Sequence, residues 1–205
     1  STIVAWGSNY GNQSTIPAGL TNVIDVATGG AFSVALKSDG TLVIWGLPPG
    51  AIPAGLSGVS KISAGYDHIL ALKNDGTAVG IGNVNSQSQA TVPLGLTNVI
   101  SIAAGYDHSV ALRSDGSVVA WGGDLFGQIS ILSNLPIVES ISANREITVF
   151  LLKQKTHLIT TTSDINGSIT PNVNVVDGTN ETITITPNSG FDIDVLVVDG
   201  LSVTP

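Results

Sequence analysis

The side chains best suited to chemistry in this sequence are His68 and His108. Each follows an aspartate, in the repeated stretches Ser63-Ala64-Gly65-Tyr66-Asp67-His68 and Ala103-Ala104-Gly105-Tyr106-Asp107-His108. An imidazole beside a carboxylate can act as a general acid or base, or begin a metal site. The chain itself weighs against both uses. The matching position of a looser third copy, Ala27 to Phe32, holds Phe32, so the site is read as needing bulk more than a titrating nitrogen. His157 stands alone in a strand-like segment. Most carboxylates fall in Asp-Gly pairs, where the Asp side chain accepts backbone hydrogen bonds and supports a turn. Asp192, Asp194 and Asp199 could gather calcium, but no Asp-x-Asp-x-Asp-Gly ligand loop accompanies them. There is no phosphate-binding Gly-x-x-x-x-Gly-Lys-Ser/Thr loop and no Gly-x-Ser-x-Gly. With no Cys, thiol nucleophiles, disulfides and thiolate metal sites are excluded. The expectation is a chain with no catalytic, metal or cofactor site.

The candidates that remain are for contact. Tyr66 and Tyr106 lie in matching loops of neighbouring repeats and are expected on one rim, where with Asp67 and Asp107 they would form a partner-binding patch. Trp6, Trp45 and Trp121 could line a sugar-binding face, but a Trp before Gly at each repeat is read as packing.

These residues recur because the chain is built on a repeat. Ile16-Pro17-Ala18-Gly19-Leu20 returns as Ile52-Pro53-Ala54-Gly55-Leu56 and as Val92-Pro93-Leu94-Gly95-Leu96, at offsets of 36 and 40. The turns Asp39-Gly40, Asp75-Gly76 and Asp115-Gly116 keep those offsets, and Trp6-Gly7, Trp45-Gly46 and Trp121-Gly122 mark one point of the unit, with Ile81-Gly82 in one copy. The shorter spacing has a local cause: Trp45 to Pro53 lacks the Asn-x-x-Gly-Gln-like stretch seen at Asn9 to Gln13 and Asp124 to Gln128. Within a unit, Val23 to Ala27, Ser33 to Leu36 and Thr41 to Trp45 are short apolar or alternating runs split by Gly-Gly and Asp-Gly, which predicts strands joined by tight turns and almost no helix. A repeat of about 40 residues made of short strands predicts β-propeller blades, each burying its faces against its neighbours.

The elements Val-x-Ala-Trp-Gly, Ala-Gly-x-x-His and Ala-Leu-x-x-Asp-Gly, with stretches like Gly-x-Asn-x-x-Gly-Gln at Gly7 to Gln13 and Gly122 to Gln128, resemble the repeat of the regulator of chromosome condensation family over about residues 1–135, more weakly to 153. The resemblance implies propeller blades, seven in complete members. It does not carry over the founding member's work on a small GTPase and chromatin, since no residue here matches that role. Three clear units and a degenerate fourth, from Leu135-Pro136 through Asn144 to Lys153, amount to about 3.5 blades. The open ends are expected to be completed by further sequence, by a second chain, or by stacking on something else.

From about Thr156 alternating runs with Asn-Gly, Asp-Gly and Ser-Gly turns predict a β-meander, without Lys or Arg after Lys155. Its motifs, among them Asn166-Gly167-Ser168-Ile169 and Gly190-Phe191, resemble an internalin-type B-repeat over residues 156–205, and the expectation is of such a repeat without its last strand. The expected architecture is all-β: a partial propeller over residues 1–153 and a small β-domain over 154–205.

Composition sets the address. The 205 residues carry a net charge of −8 with 11% charged and 42% hydrophobic residues, ample for a core. The acidic balance removes the counterion-release term of nucleic-acid binding, and no apolar run reaches the length of a membrane span. The chain begins at Ser1 rather than Met, which reads as a processed product or a piece of a longer one. The expectation is a non-catalytic extracellular, cell-surface or virion-surface module, structural or adhesive, that assembles with other copies. The alternative is a lectin-like module binding glycan or protein through the loop rim.

Overall fold

A computed structural model describes residues 2–82, 86–132, 135–162, 165–177, 179, 181–192, 196–198 and 201–203. Two of the calcium candidates, Asp194 and Asp199, lie outside them. The chain divides into two compact units, Ser1–Lys153 and Gln154–Pro205. All regular structure among the described residues is β, with no helix.

The first unit is a series of antiparallel sheets in sequence order. β1 (Val23–Thr28), β2 (Phe32–Lys37) and β3 (Leu42–Gly46) form one blade. β4 (Val59–Ala64), β5 (Ile69–Lys73) and β6 (Ala78–Ile81) form the second, and β7 (Val99–Ala104), β8 (His108–Arg113) and β9 (Val118–Gly122) the third. The fourth has two strands, β10 (Val138–Asn144) and β11 (Ile147–Leu152). Each Asp-Gly turn closes as the sequence predicts. Gly40, Gly76 and Gly116 take φ of +76°, +77° and +81°, a region that glycine enters without steric cost. The Asp39 carboxylate accepts from Thr41 N and the Thr41 hydroxyl, and Lys37 lies 3.0 Å away. These bonds, led by that of Thr41, hold Asp39 down at about 2.

Successive blades are tied by backbone bonds at two levels. The amide that opens each first strand donates to the turn glycine of the previous blade: Val59 N to Gly40 O (3.3 Å), Val99 N to Gly76 O (3.0 Å) and Val138 N to Gly116 O (3.1 Å). At the other end Gly30 N donates to Tyr66 O (3.0 Å), Tyr66 N to Tyr106 O (3.3 Å) and Tyr106 N to Arg145 O (2.7 Å). The core lies between blades. Phe32, Val34 and Leu36 of β2 face forward onto Ile62, Ile69, Ala71 and Ile81 of the second blade. Leu70 and Leu72 of β5 face forward in the same way onto Ile102, Ala104, Ala111 and Trp121 of the third. A blade alone could not bury either face, which is why the repeat must stack.

The stacking stops at the ends of the series. Ile147, Val149 and Leu151 of β11 occupy the forward-facing positions that are buried in the first three blades, and here they are 58–65% exposed. Val26, on the back of the first blade, is exposed, whereas its counterparts Ile62 and Ile102 are buried. The propeller is therefore an open series of blades.

In the second unit, β12 (Thr156–Ile159) pairs with β14 (Val173–Val176), β13 (Gly167–Ile169) with β15 (Ile185–Pro187), and β16 (Leu196–Val198) with β17 (Leu201–Val203), all antiparallel. The last pair is a sequential hairpin. The first four strands interleave rather than take the order of a simple meander, because β13 starts a second sheet before the chain returns to β12.

Candidate functional site

His68 and His108 are the centre of a repeated inter-blade clamp. Each ends the turn after a blade's first strand, fully buried, with its ring pressed against the glycine three residues earlier. A Cβ on Gly105 would fall within 3.0 Å of Cε1, Nδ1 and Nε2 of His108. One on Gly65 would meet His68 Cε1 and Nδ1 and also the Gly105 carbonyl, and one on Gly29 would meet the Phe32 ring. The Ala-Gly-x-x-His element is thus a packing unit in which the glycine makes room for the ring.

Each ring then reaches the next blade. His68 Nε2 lies 2.9 Å from Ser109 Oγ, and Ser109 Oγ is 2.8 Å from Gln89 O. A carbonyl can only accept, so the serine proton goes to Gln89 O and the oxygen accepts from His68 Nε2–H. Trp121 Nε1 donates to the same carbonyl at 2.9 Å. In the first blade Gln13 O likewise accepts from Ser33 Oγ and Trp45 Nε1, both at 2.8 Å. His108 Nε2 meets Thr148 Oγ1 at 2.9 Å, and Thr148 donates to Gln128 O at 2.7 Å. The glutamine side chains fold back on their own loops, accepting from Gly11 N, Gln87 N and Phe126 N. Gln128 Nε2 also donates to Asp107 at 3.2 Å.

The sequence reading of His68 and His108 as structural side chains agrees with this geometry, but its reason changes. The ring nitrogen is used, and Phe32 stands at the matching position because the next blade offers it nothing to bond. There the glutamine loop is deleted, Ile69 replaces the serine, Ile81 the tryptophan, and Ala31-Phe32 the Asp-His pair. Replacing all partners by apolar groups leaves no buried polar atom unpaired. Sequence reasoning missed the glutamines, Ser33, Ser109 and Thr148. The signal was present as this concerted change across one junction.

Tautomer logic leaves Nδ1 of both histidines unprotonated, and both atoms are buried without a hydrogen-bond partner among the described residues. Burial pushes His68 down to about 4, with the neighbouring His108 adding to the fall and Asp107 opposing it. Burial also lowers His108, against Asp107 and Asp124. Among the described residues no group of three or more His, Asp or Glu side chains is placed to hold a metal ion. His157 makes an exposed contact with Asp177 at 3.3 Å in the second unit, of the kind that contributes little. Replacing Ser109 by alanine should leave His68 Nε2–H buried without an acceptor, a loss of about 2 kcal/mol. A fall in the urea midpoint at unchanged slope checks it.

Tyr66 and Tyr106 stack on one another, ring centroids 4.2 Å apart and planes 17° apart. Gly30 lies against the other side of Tyr66, where a Cβ would strike its ring. The turn residues at Gly30, Tyr66 and Tyr106 therefore form a continuous stack across three blades, partly exposed at both tyrosines. Asp107 is tied to Gln128, as above. Trp45 and Trp121 are buried packing residues, as the sequence predicts, while Trp6 is 85% exposed.

An open series of antiparallel blades joined by these clamps defines a propeller-type repeat protein. Residues 23–48, 59–89 and 99–128 match the family described as the regulator of chromosome condensation (RCC1) repeat, and these three repeats belong to that family. Among solved structures the chain is similar to yeast RCC1 (Prp20) bound to Kap60, at 21% identity and a TM-score of 0.56, covering 67% of this chain and 43% of that one. It is similar to the ectodomain of the Physcomitrella patens receptor kinase CR4, at 22% identity and 0.55, covering 64% and 38%. It is also similar to human WBSCR16, at 17% identity and 0.55, covering 66% and 46%. The chain thus spans under half the length of these structures, and the likeness is one of fold. No curated protein sequence matches the chain.

Proposed function

We propose that the chain is a non-catalytic structural or adhesive module of an extracellular, cell or virion surface, assembling with other copies into a fibre, stalk or scaffold. The observation that carries this reading is the pairing of bonded interior clamps with apolar end faces left exposed. His68, His108 and the glutamine loops are engaged in holding blade to blade, whereas Ile147, Val149 and Leu151 present the same register of apolar residues exposed. Exposed apolar faces of this kind mark interaction surfaces. The low charge and the acidic balance support the surface setting, and the B-repeat-like motifs of the second unit support a long surface chain. Electron micrographs of native material test it: rings, filaments or surface fibres are expected, and dispersed single particles inside the producing cell would contradict it.

A second reading is favoured by the tyrosine stack: a protein- or glycan-binding rim of Tyr66, Asp67, Tyr106 and Asp107. The rings turn one face to each other, so a ligand would meet their edges, hydroxyls and the neighbouring carboxylates. Binding on a glycan array that Tyr66→Ala and Tyr106→Ala abolish would promote this reading, and an array without binding counts against its glycan form.

A further inference from the structure

We propose that the fourth blade is completed by residues 2–7 of a second copy of this chain, added as its third strand along the free edge of β11. This inference rests on the self-assembly reading above and names the segment and the site.

The recipient site is defined by what the other blades contain. In the first and third blades the third strand pairs with the second in one register: Trp45 opposite Ser33, Ile44 opposite Val34, Val43 opposite Ala35, and likewise Trp121 opposite Ser109, Ala120 opposite Val110, Val119 opposite Ala111. The indole N–H then meets the loop glutamine carbonyl. The fourth blade has no third strand among the described residues, since β11 pairs with β10 alone and the next strand, β12, pairs with β14. Gln128 O receives the Thr148 hydroxyl and, among the described residues, no indole. Beside it lies an open groove of about 350 Å³ lined by Gln128, Ile131, Leu135, Thr148 and Phe150 among others.

The donor is on the same chain. Ile3-Val4-Ala5-Trp6-Gly7 matches Val118-Val119-Ala120-Trp121-Gly122 residue for residue in type. Gly7 already holds φ of +105°, as Gly46 (+98°) and Gly122 (+109°) do after their tryptophans. Yet Trp6 is 85% exposed where Trp45 and Trp121 are 9% and 7% exposed. Placing Trp6 opposite Thr148, Ala5 opposite Val149 and Val4 opposite Phe150 repeats the register of the complete blades. It brings the indole to Gln128 O and the ring against Phe150, an edge-to-face or offset contact. The added strand also supplies backbone bonds to the β11 edge, the usual source of affinity in strand addition.

The residues after the donor strand suit the same placement. The Gln13 loop and the first blade of the second copy would then lie over the exposed face of Ile147, Val149 and Leu151. Glu146 stands where Asp107 stands one repeat earlier and supplies a carboxylate for the Gln13 amide, as Asp107 does for Gln128. The contact is head-to-tail, so copies add in one direction and either close or extend.

The chain has no Cys, so engineered pairs report register directly. Ala5→Cys with Val149→Cys, both at exposed positions, is expected to give disulfide-linked multimers with oxidised glutathione as the oxidant. Ala5→Cys with Leu151→Cys, two residues out of register, should link at least tenfold less. Adding Trp6→Ala to the in-register pair should lower its yield by a similar factor. Light scattering is measured on the same samples. Multimers without preferential in-register linking would overturn the strand donation and leave self-assembly standing. Monomers at every concentration, with no linking, would overturn both.

Discussion

Gly105→Ala is expected to cost the first unit about 3 kcal/mol of unfolding free energy, because the added methyl has nowhere to go but the His108 ring. The three atoms nearest to that methyl all belong to the His108 ring, Cε1, Nδ1 and Nε2. Removing that ring with His108→Ala should therefore make the second substitution nearly free, although His108→Ala is itself destabilising by leaving a void beside Thr148. The double variant is expected to be more stable than the sum of the single losses by about 2 kcal/mol. Gly65→Ala is the informative contrast. Its methyl would strike the Gly105 carbonyl as well as His68, so His68→Ala should give little relief. Denaturant unfolding of the two cycles checks this. Equal coupling in both would mean that the glycines serve something other than the close approach of ring and neighbouring turn.

The second large effect is acid destabilisation centred on His68. A histidine with an unfolded value of 6.5 and a folded value of about 4 is neutral in both states above pH 6.5, so it adds no pH dependence there. As the pH falls below 6.5 the unfolded chain takes up the proton first, and stability is lost until about pH 4, below which both states are protonated. The span is worth about 3 kcal/mol, and His108, lowered in the same direction, adds to it. Protonation is disfavoured because Nδ1, the atom that must accept the proton, is buried without a partner. Thermal melts from pH 7 to pH 4 should show the steepest fall in this window. In His68→Phe, which copies the Phe32 arrangement, the slope should be smaller, whatever the cost of the substitution at neutral pH.

Much of the fold was legible because its signals are local. The Asp-Gly pairs placed the hairpins, since the turn needs positive φ at the glycine and a carboxylate that accepts from the residue two further on, and Thr41, Thr77 and Ser117 supply that donor. The offsets placed the blades. The clamp was not legible from either histidine by itself, because its partners lie about 40 residues away in another blade. It becomes visible in the joint replacement of Asp-His, glutamine loop, serine and tryptophan at the junction of the first two blades. The interleaved strands of the second unit were hidden for a different reason: alternation reports which face a residue takes, not which strand is its neighbour. The tyrosines were placed on neighbouring turns from the repeat, but their stacking depends on the inter-blade distance, which no single repeat encodes.

Sedimentation equilibrium of the intact chain over a wide concentration range tests the central claim, that the exposed end faces are assembly surfaces. Masses rising from 20.8 kDa to its multiples, and returning toward 20.8 kDa in Trp6→Ala, are the expected result. A single 20.8 kDa species throughout, for a folded chain, would contradict it.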